Sequence, residues 1–453
     1  MRTRWRSACL ALLAMLVFAA ACNSEEPTPN PAATTSTTTI TVDIDPATAA
    51  VVTFGEDVPD GDRDRLIGWA AGVRGAAEAI RGLRFLDEPS IEFLSAEAYA
   101  NRWQRRRDAE LDPTELAVDT RFLQLLGLLA PGQSLRVLLT PAYETPPAAF
   151  YDGDRGSVVA AALTGAPSAA ADRDVLAATV TGLTDQYHQH SARAAVLEAD
   201  GMLDEADALR ALATADAAYF ALVYTQELAA GSRPETDVAV LGPNTPEAIV
   251  DVLAFPYSEG LVFVESLIAE GGIAALDAVY GNERLTTEQI LHPDRYGVTD
   301  PILDVEQNPL ALTGHRLHRT GSLGELGLRA LLAEAQLPGV VRQSTDGWGG
   351  DRFATFTSGN DVAWVYLFRG DDAHHAREVA QAFIDLATDV MGLNEPLASG
   401  GGVEFVGMAT EGLAEEEPRG PYVFVDRNGA GLVVVISSEV SAGRELAASV
   451  DTP

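Results

Sequence analysis

Apolar residues recur every three to four positions over roughly the first 290 residues, the spacing that places them on one face of an α-helix. The clearest stripe lies within residues 63–85 and comprises Leu66, Ile67, Ala70, Val73, Ala77 and Ile80. The same spacing predicts helices over residues 95–107, 174–191, 204–228 and most of 246–291. This part of the chain is therefore expected to be largely helical.

Alternating or β-branched apolar residues mark a second group of segments. Residues 149–160 predict a hairpin around an Asp-Gly turn, and the Leu/Val-rich residues 135–140 predict a short strand before it. In the last third of the chain, strands are predicted over residues 353–357, 361–368, 403–409, 422–425 and 431–437, with helices over 321–335 and 371–391. We therefore expect an α+β fold: a largely helical domain with a short edge sheet over residues 46–312, then a smaller α+β domain with an antiparallel sheet over 313–453.

The chain is strongly acidic, with a formal net charge of −35, and all 31 of its basic residues are arginines. This charge argues against nucleic acid as a partner. Without lysine no Walker-type phosphate loop can form, and no Gly-x-Ser-x-Gly motif accompanies a serine triad. Acidic pairs such as Asp204-Glu205 are expected to lie on a solvated face rather than in a glycosidase or calcium site.

The first 22 residues are typical of an export signal. Three arginines precede an apolar run over residues 8–21, and small residues lead to Cys22, as in a lipobox. We expect Cys22 to be lipidated, so that the protein is anchored to the cell membrane on its extracytoplasmic side by a Thr/Pro-rich tether over residues 23–45. The alternative is an ordinary signal peptide that is cut elsewhere. Because Cys9 lies inside the signal, the remaining chain has no disulfide and no thiol nucleophile.

Several separated motifs resemble one branch of the gluzincin-like zinc metallopeptidases, commonly found as bacterial lipoproteins. They are Phe150-Tyr151-Asp152, Asp185-Gln186, the Pro256-Tyr257 block with Gly260 and Phe263-Val264, Thr287-Glu-Gln-Ile-Leu-His-Pro-Asp-Arg-Tyr296 and Gly347-Trp-Gly-Gly-Asp-Arg352. The resemblance implies a zincin-like fold for the first domain. In that family two histidines and a glutamate on one helix, in the order His-Glu-x-x-His, hold and activate zinc, and a glutamate on the next helix is the third ligand.

The residues at those positions differ from the family pattern. Counting from Asp185-Gln186 places Ala177 and Thr181 at the two histidines and Ala178 at the catalytic glutamate, and Thr214 stands at the third ligand. Neither alanine nor threonine is a workable zinc ligand, and alanine cannot act as a general base. We therefore expect an inactive metallopeptidase-like protein with no metal and no cofactor.

Histidines elsewhere offer alternative metal sites. His188 and His190 point about 200° apart on a continuous helix, so they share an ion only if the helix has ended between them. His315 and His318 have i, i+3 spacing but no carboxylate nearby in the sequence. His292, which precedes a proline, is expected to cap a helix carbonyl.

The former cleft is the expected binding region. Its candidate lining residues are Phe150, Tyr151, Asp185, Tyr187, Asp216 and Tyr219. In zincins the strand that corresponds to Phe150-Tyr151 is the edge along which an extended peptide lies, so the expected ligand is a peptide or protein. The alternatives are an active hydrolase with a relocated metal site and a purely structural envelope lipoprotein.

Overall fold

The computed structural model describes residues 38–41, 51–225, 245–282, 284–297, 302–303, 305, 311–393, 396–399, 401–407 and 419–453. The predicted signal peptide, Cys22 and most of the predicted tether lie outside the described residues. The protein is a mixed α/β molecule with a mainly helical N-terminal region and a C-terminal antiparallel sheet. Within the described residues no helix is both long enough and apolar enough to span a bilayer.

Five strands lie in the described part of the N-terminal region: β1 (Thr38–Thr41), β2 (Val51–Phe54), β3 (Ser90–Leu94), β4 (Ala149–Asp152) and β5 (Ser157–Ala161). They form one mixed sheet in the order β1-β2-β3-β5-β4. The inner strands β2, β3 and β5 run parallel, and β1 and β4 pair antiparallel at the two edges. The predicted hairpin is confirmed as β4 and β5, which pair from Ala149 opposite Ala160 to Asp152 opposite Ser157.

Ten helices accompany this sheet among the described residues. They are α1 (Asp60–Arg81), α2 (Ala96–Glu110), α3 (Pro113–Leu125), α4 (Leu135–Leu139), α5 (Ala169–His188), α6 (His190–Ala199), α7 (Leu203–Tyr224), α8 (Glu247–Ala254), α9 (Glu259–Tyr280) and α10 (Thr287–Leu291). Helices α1 and α5 pack together on one face of the sheet, α2 covers the other, and α7 packs against α5 and α9. The capping box that Thr286 and Gln289 predict at the start of α10 is present.

The C-terminal sheet has seven strands: β6 (Arg316–Gly321), β7 (Trp348–Ser358), β8 (Asp361–Gly370), β9 (Leu397–Ser399), β10 (Gly402–Val406), β11 (Arg419–Asn428) and β12 (Gly431–Glu439). Their order is β6-β7-β8-β12-β11-β10-β9, and every pair is antiparallel. Helix α13 (Ala373–Asp385) packs on one face and α14 (Val440–Ala448) on the other. This arrangement confirms the predicted antiparallel sheet with helices over it.

The two parts of the chain share one continuous hydrophobic core. Helix α11 (Gly324–Leu332) follows β6 and packs against α7, α8 and α10, and it is followed by α12 (Pro338–Thr345). Phe122 of α3 meets Trp364 of β8 with ring centroids 5.2 Å apart. Residues on both sides of the predicted boundary near residue 313 therefore contribute to the same core.

Three sequence-based expectations about local structure were wrong. Residues 135–139 form helix α4 instead of a strand, because five apolar-rich residues fit either structure and Ser134 starts a helical turn here. The acidic pair Asp204-Glu205 is buried, with Asp204 only 2% exposed, because Thr287 and Ser322 supply hydrogen bonds around it. Residues 38–41, expected in the tether, form the edge strand β1.

Candidate functional site

The helix that the resemblance identifies as catalytic is α5. Ser168 caps its first turn by accepting a hydrogen bond from the Ala171 amide, and it ends where Gln189 adopts a left-handed conformation with φ of 50°. Within residues 175–184, Ala177 and Thr181 are partly exposed and every other residue is buried. The two positions assigned to the zinc-binding histidines are therefore the ones that reach solvent.

Helix α7 shows the same feature at the third position. Within residues 211–218 only Thr214 is partly exposed, and the others are buried. We call Ala177, Thr181 and Thr214 the three ligand positions. None of them carries an imidazole or a carboxylate, and the Thr181 hydroxyl donates to the Ala177 carbonyl of its own helix at 2.9 Å. Ala178, at the position of the general base, is 6% exposed and offers no polar atom from its side chain.

Strand β4 connects this helix to the edge of the sheet. Tyr151 faces α5, and its hydroxyl donates to Asp185 Oδ2 at 2.8 Å. The ring lies so close to α5 that a Cβ at Gly182 would be 3.0 Å from it, so a larger residue there would require the ring to shift by a few tenths of an ångström. Phe150 points to the opposite face of the sheet, because side chains alternate along a strand, and packs against Trp103 of α2. Of this pair, only Tyr151 lies beside α5.

The outer edge of β4 is partly occupied. Ala148 and Ala161 form a hydrogen-bonded pair, so alternation turns the main-chain groups of Ala149 and Tyr151 outward. Arg106 Nη1 donates to the Tyr151 carbonyl at 2.9 Å. A peptide that pairs along this edge must therefore compete with Arg106 for that carbonyl.

Asp216, which sequence analysis assigned to the cleft, is fully buried. Its carboxylate accepts hydrogen bonds from Arg81 Nε at 3.0 and 3.2 Å and from the Tyr280 hydroxyl at 2.9 Å. Arg81, also 0% exposed, donates in addition to Asp277. Burial raises the pKa of Asp216, while Arg81 acts in the opposite direction. Asp216 thus joins α7 to α1 and α9. Sequence analysis missed Arg81, whose only signal is its position at the end of an apolar stripe.

The remaining predicted cleft residues lie at the ends of the two helices. Tyr187 is 38% exposed, and its hydroxyl donates to the Arg84 carbonyl at 2.6 Å. Tyr219 is partly exposed and packs edge-to-face on Phe220. Asp185 accepts from the Ser191 amide at 2.9 Å besides Tyr151, so it fastens the α5–α6 turn as well as β4.

The helix does end between His188 and His190, but the two rings do not share a site. Both lie near Tyr280, with His188 stacked on it at 4.3 Å. Their nitrogens face different carboxylates: His188 Nε2 lies 3.5 Å from Asp277 and His190 Nδ1 lies 3.4 Å from Asp185. Burial lowers the pKa of both imidazoles. The pair is therefore not arranged to hold one ion.

His190 also completes an arrangement similar to a hydrolase triad. Its Nε2 lies 3.3 Å from Thr184 Oγ1, and its Nδ1 faces Asp185. Thr184, however, is 0% exposed, and its hydroxyl contacts the Val180 and Thr181 carbonyls of its own helix at 3.1 Å. A nucleophile must be accessible to its substrate, so the buried Thr184 hydroxyl cannot act as a nucleophile.

Among the described residues, one group of metal-ligating side chains lies within reach of a single ion: His292, Glu325 and Asp346. His292 Nε2 lies 2.9 Å from Glu325 and 3.4 Å from Asp346, so the imidazole faces carboxylates, while the His292 backbone N–H caps the Glu288 carbonyl at the end of α10. Arg329 pairs with Glu325, and Arg295 pairs with Asp346 at 2.8 Å. Two guanidinium groups already balance the two carboxylates, so this cluster joins α10, α11 and α12 without needing an ion.

His315 and His318 do not share a helical face, because His318 lies on strand β6 and His315 precedes it. His315 Nδ1 lies 3.1 Å from the Thr313 carbonyl, and His318 Nε2 lies 3.1 Å from Glu115 of α3. The carboxylate that the local sequence lacked is thus supplied by a residue about 200 positions away.

Comparison with known proteins identifies one matching region. The model of a family described as a domain of unknown function, DUF8575, matches residues 314–447. This segment contains the seven-stranded sheet and nearly all of the helices that pack on it, and it begins after the three ligand positions. No curated protein and no solved structure matches the chain.

Proposed function

We propose that this protein is a non-catalytic, membrane-anchored binding protein whose N-terminal region has a degenerate zinc-peptidase-like architecture. The observation that carries the proposal is the exposure pattern of α5 and α7. The three ligand positions are the solvent-reaching positions of otherwise buried stretches, yet they carry only Ala177, Thr181 and Thr214. A surface suited to a ligand is retained there without groups that hold a metal.

The motifs that carry the family resemblance support this proposal through their contacts. Gln186 Oε1 accepts from the Leu86 amide at 2.8 Å, and the Asp351 carboxylate accepts from Trp348 Nε1 at 2.8 Å. Thr287 bonds to the buried Asp204. These residues hold the framework together, so a chain can retain them for stability after the chemistry is lost.

The proposed ligand is an extended peptide or an unstructured segment of a protein. Support comes from the position of β4, an antiparallel edge strand joined to α5 through Tyr151 and Asp185. The Arg106 contact to this edge implies that binding at the Tyr151 carbonyl requires that side chain to move. Attachment to the membrane through lipidated Cys22, on the extracytoplasmic side, is part of the same proposal and rests on the sequence of residues 1–22.

Restoring the missing ligands tests the architecture directly. The protein purified without chelators is expected to hold no stoichiometric zinc. The triple variant Ala177→His/Thr181→His/Thr214→Glu is expected to bind one zinc per chain, because i, i+4 imidazoles share a helix face and the glutamate completes the site. The control is Gln104→His/Asp108→His, an i, i+4 pair on the exposed face of α2. A folded triple variant that binds zinc no better than this control would show that the assigned positions are wrong.

Binding is tested separately with a library of extended peptides immobilised on a surface. We expect saturable binding by the native chain and its loss in Ala177→Arg, which fills the surface at a ligand position. Gln104→Arg, on exposed α2, should bind like the native chain. Absence of saturable binding, or equal binding by both variants, would refute a peptide-binding role for this surface and favour a purely structural protein.

A further inference from the structure

The contact between α3 and β6 joins the N-terminal region to the edge of the C-terminal sheet through charged side chains. Arg319 Nη2 lies 2.7 Å from Glu115 Oε2 and 3.7 Å from Asp119 Oδ2. His318 Nε2 lies 3.1 Å from the same Glu115 oxygen. One guanidinium thus faces two carboxylates, and it contacts Glu115 more closely than Asp119.

Asp119 is poorly compensated at this junction. It is 1% exposed, and its Oδ2 has no hydrogen-bond donor among the residues that the structure describes. Burial raises the pKa of Asp119 to about 6, although Arg319 and His318 act in the opposite direction. Hydrogen bonds from His318 and Arg319 lower the pKa of Glu115 to about 2. The two carboxylates therefore titrate far apart, with Asp119 the one that changes charge near neutral pH.

The charged groups around Asp119 come from three elements. Glu115 lies one turn earlier on α3, and His318 and Arg319 lie on β6. Glu198 of α6 also attracts the Arg319 guanidinium, so it competes with Asp119 for the same cation.

We propose that the α3–β6 junction is a proton-operated latch, in which uncharged Asp119 holds the edge of the C-terminal sheet against α3 and ionised Asp119 loosens it. The geometry that supports this is a buried carboxylate oxygen without a donor at the contact between the two regions. A carboxylate more easily protonated in the closed than in the open state favours closure at low pH. The preference for closure decreases as pH rises from about 4 through about 6, and above about pH 7 it no longer changes with pH.

Opening that exposes Asp119 to water restores its ordinary pKa. The opening equilibrium constant is then expected to rise about tenfold between pH 5 and pH 8. This change concerns the junction and is independent of the proposed peptide-binding surface, so each proposal can fail without the other.

Hydrogen exchange of the β6 amides, corrected for the intrinsic effect of pH, measures this opening in the full chain. We expect the tenfold rise in the native protein and no rise in Asp119→Asn, whose amide imitates the protonated acid. Asp119→Ser is a second uncharged variant, and Asp64→Asn, exposed on α1, should retain the native response. A native protein without pH dependence at β6, or equal dependence in native and uncharged variants, would overturn the latch.

Discussion

The buried pair of Arg81 and Asp216 gives the sharpest test of how the helices are held together. Replacing Arg81 by methionine fills a similar volume but leaves Asp216 fully buried, with the Tyr280 hydroxyl as its one remaining donor among the bonds described above. Removing one partner of a buried ion pair costs about 3–5 kcal/mol, because the other charge remains uncompensated. Asp277 also loses Arg81 as a partner, but its side chain is 30% exposed and can be hydrated, so it should add little to the loss of stability. We therefore expect a loss of about 3–5 kcal/mol in the free energy of unfolding.

Urea denaturation at pH 7 measures this loss. The double variant Arg81→Met/Asp216→Leu should recover much of it, because no charge is left buried. The control is Arg107→Met, whose partner Asp108 is 52% exposed and whose loss should cost about 1 kcal/mol or less. If Arg81→Met costs no more than Arg107→Met, or if the double variant is less stable than the single one, the reasoning from burial is wrong.

Two further predictions concern backbone strain and pH. Gly324→Ala should be strongly destabilising, because φ is +67° and the new Cβ would lie 1.7 Å from Asp204 Oδ1. Gly429→Ala, with φ of +61° and no heavy atom within 4 Å of its Cβ, should lose only the roughly 1–2 kcal/mol of backbone strain. Thermal denaturation that finds Gly324→Ala and Gly429→Ala equally destabilised would contradict the clash at residue 324. Burial raises the pKa of Asp207 to about 8, so stability should increase as pH falls from about 8 to about 5. The stabilising effect of ionised Glu115, with its pKa lowered to about 2, is lost below about pH 4.5, so the two effects together place the maximum near pH 4. Urea titrations at high salt that show stability rising from pH 5 to pH 8 would contradict this account.

Long periodic segments and local turn chemistry were predictable from the sequence. The stripe through Leu66 and Val73 became the buried face of α1, and the hairpin predicted over residues 149–160 formed as β4 and β5. The helix predicted over residues 95–107 formed as α2, and Ser95 caps its first turn. Each of these signals lies within a few residues of the structure it determines, so a single sequence contains it.

Contacts between distant residues were not predictable. Strands β2 and β3 are only four and five residues long, and their β-character is decided by parallel pairing with each other and with β5. The burial of Asp216 depends on Arg81, 135 positions earlier, and that of Asp204 on Thr287, 83 positions later. Charged residues are seldom fully buried, so sequence reasoning placed these carboxylates at the surface or in a cleft. The positions on α5 and α7 were predicted, but their exposure could be read only from the fold.

If Cys22 is the anchor proposed above, the order of strands in the N-terminal sheet bears on where a partner can bind. Strand β1 is the first described segment after Cys22, and it lies at the edge of the sheet opposite β4. Four strand spacings separate these edges, or about 19 Å. With Cys22 anchored as proposed, the 15 residues between it and Thr38 can span at most about 55 Å. Because this reach exceeds the distance between the sheet edges, an anchor at Cys22 would leave the surface beside β4 and α5 free to face away from the bilayer, toward a partner that never contacts it.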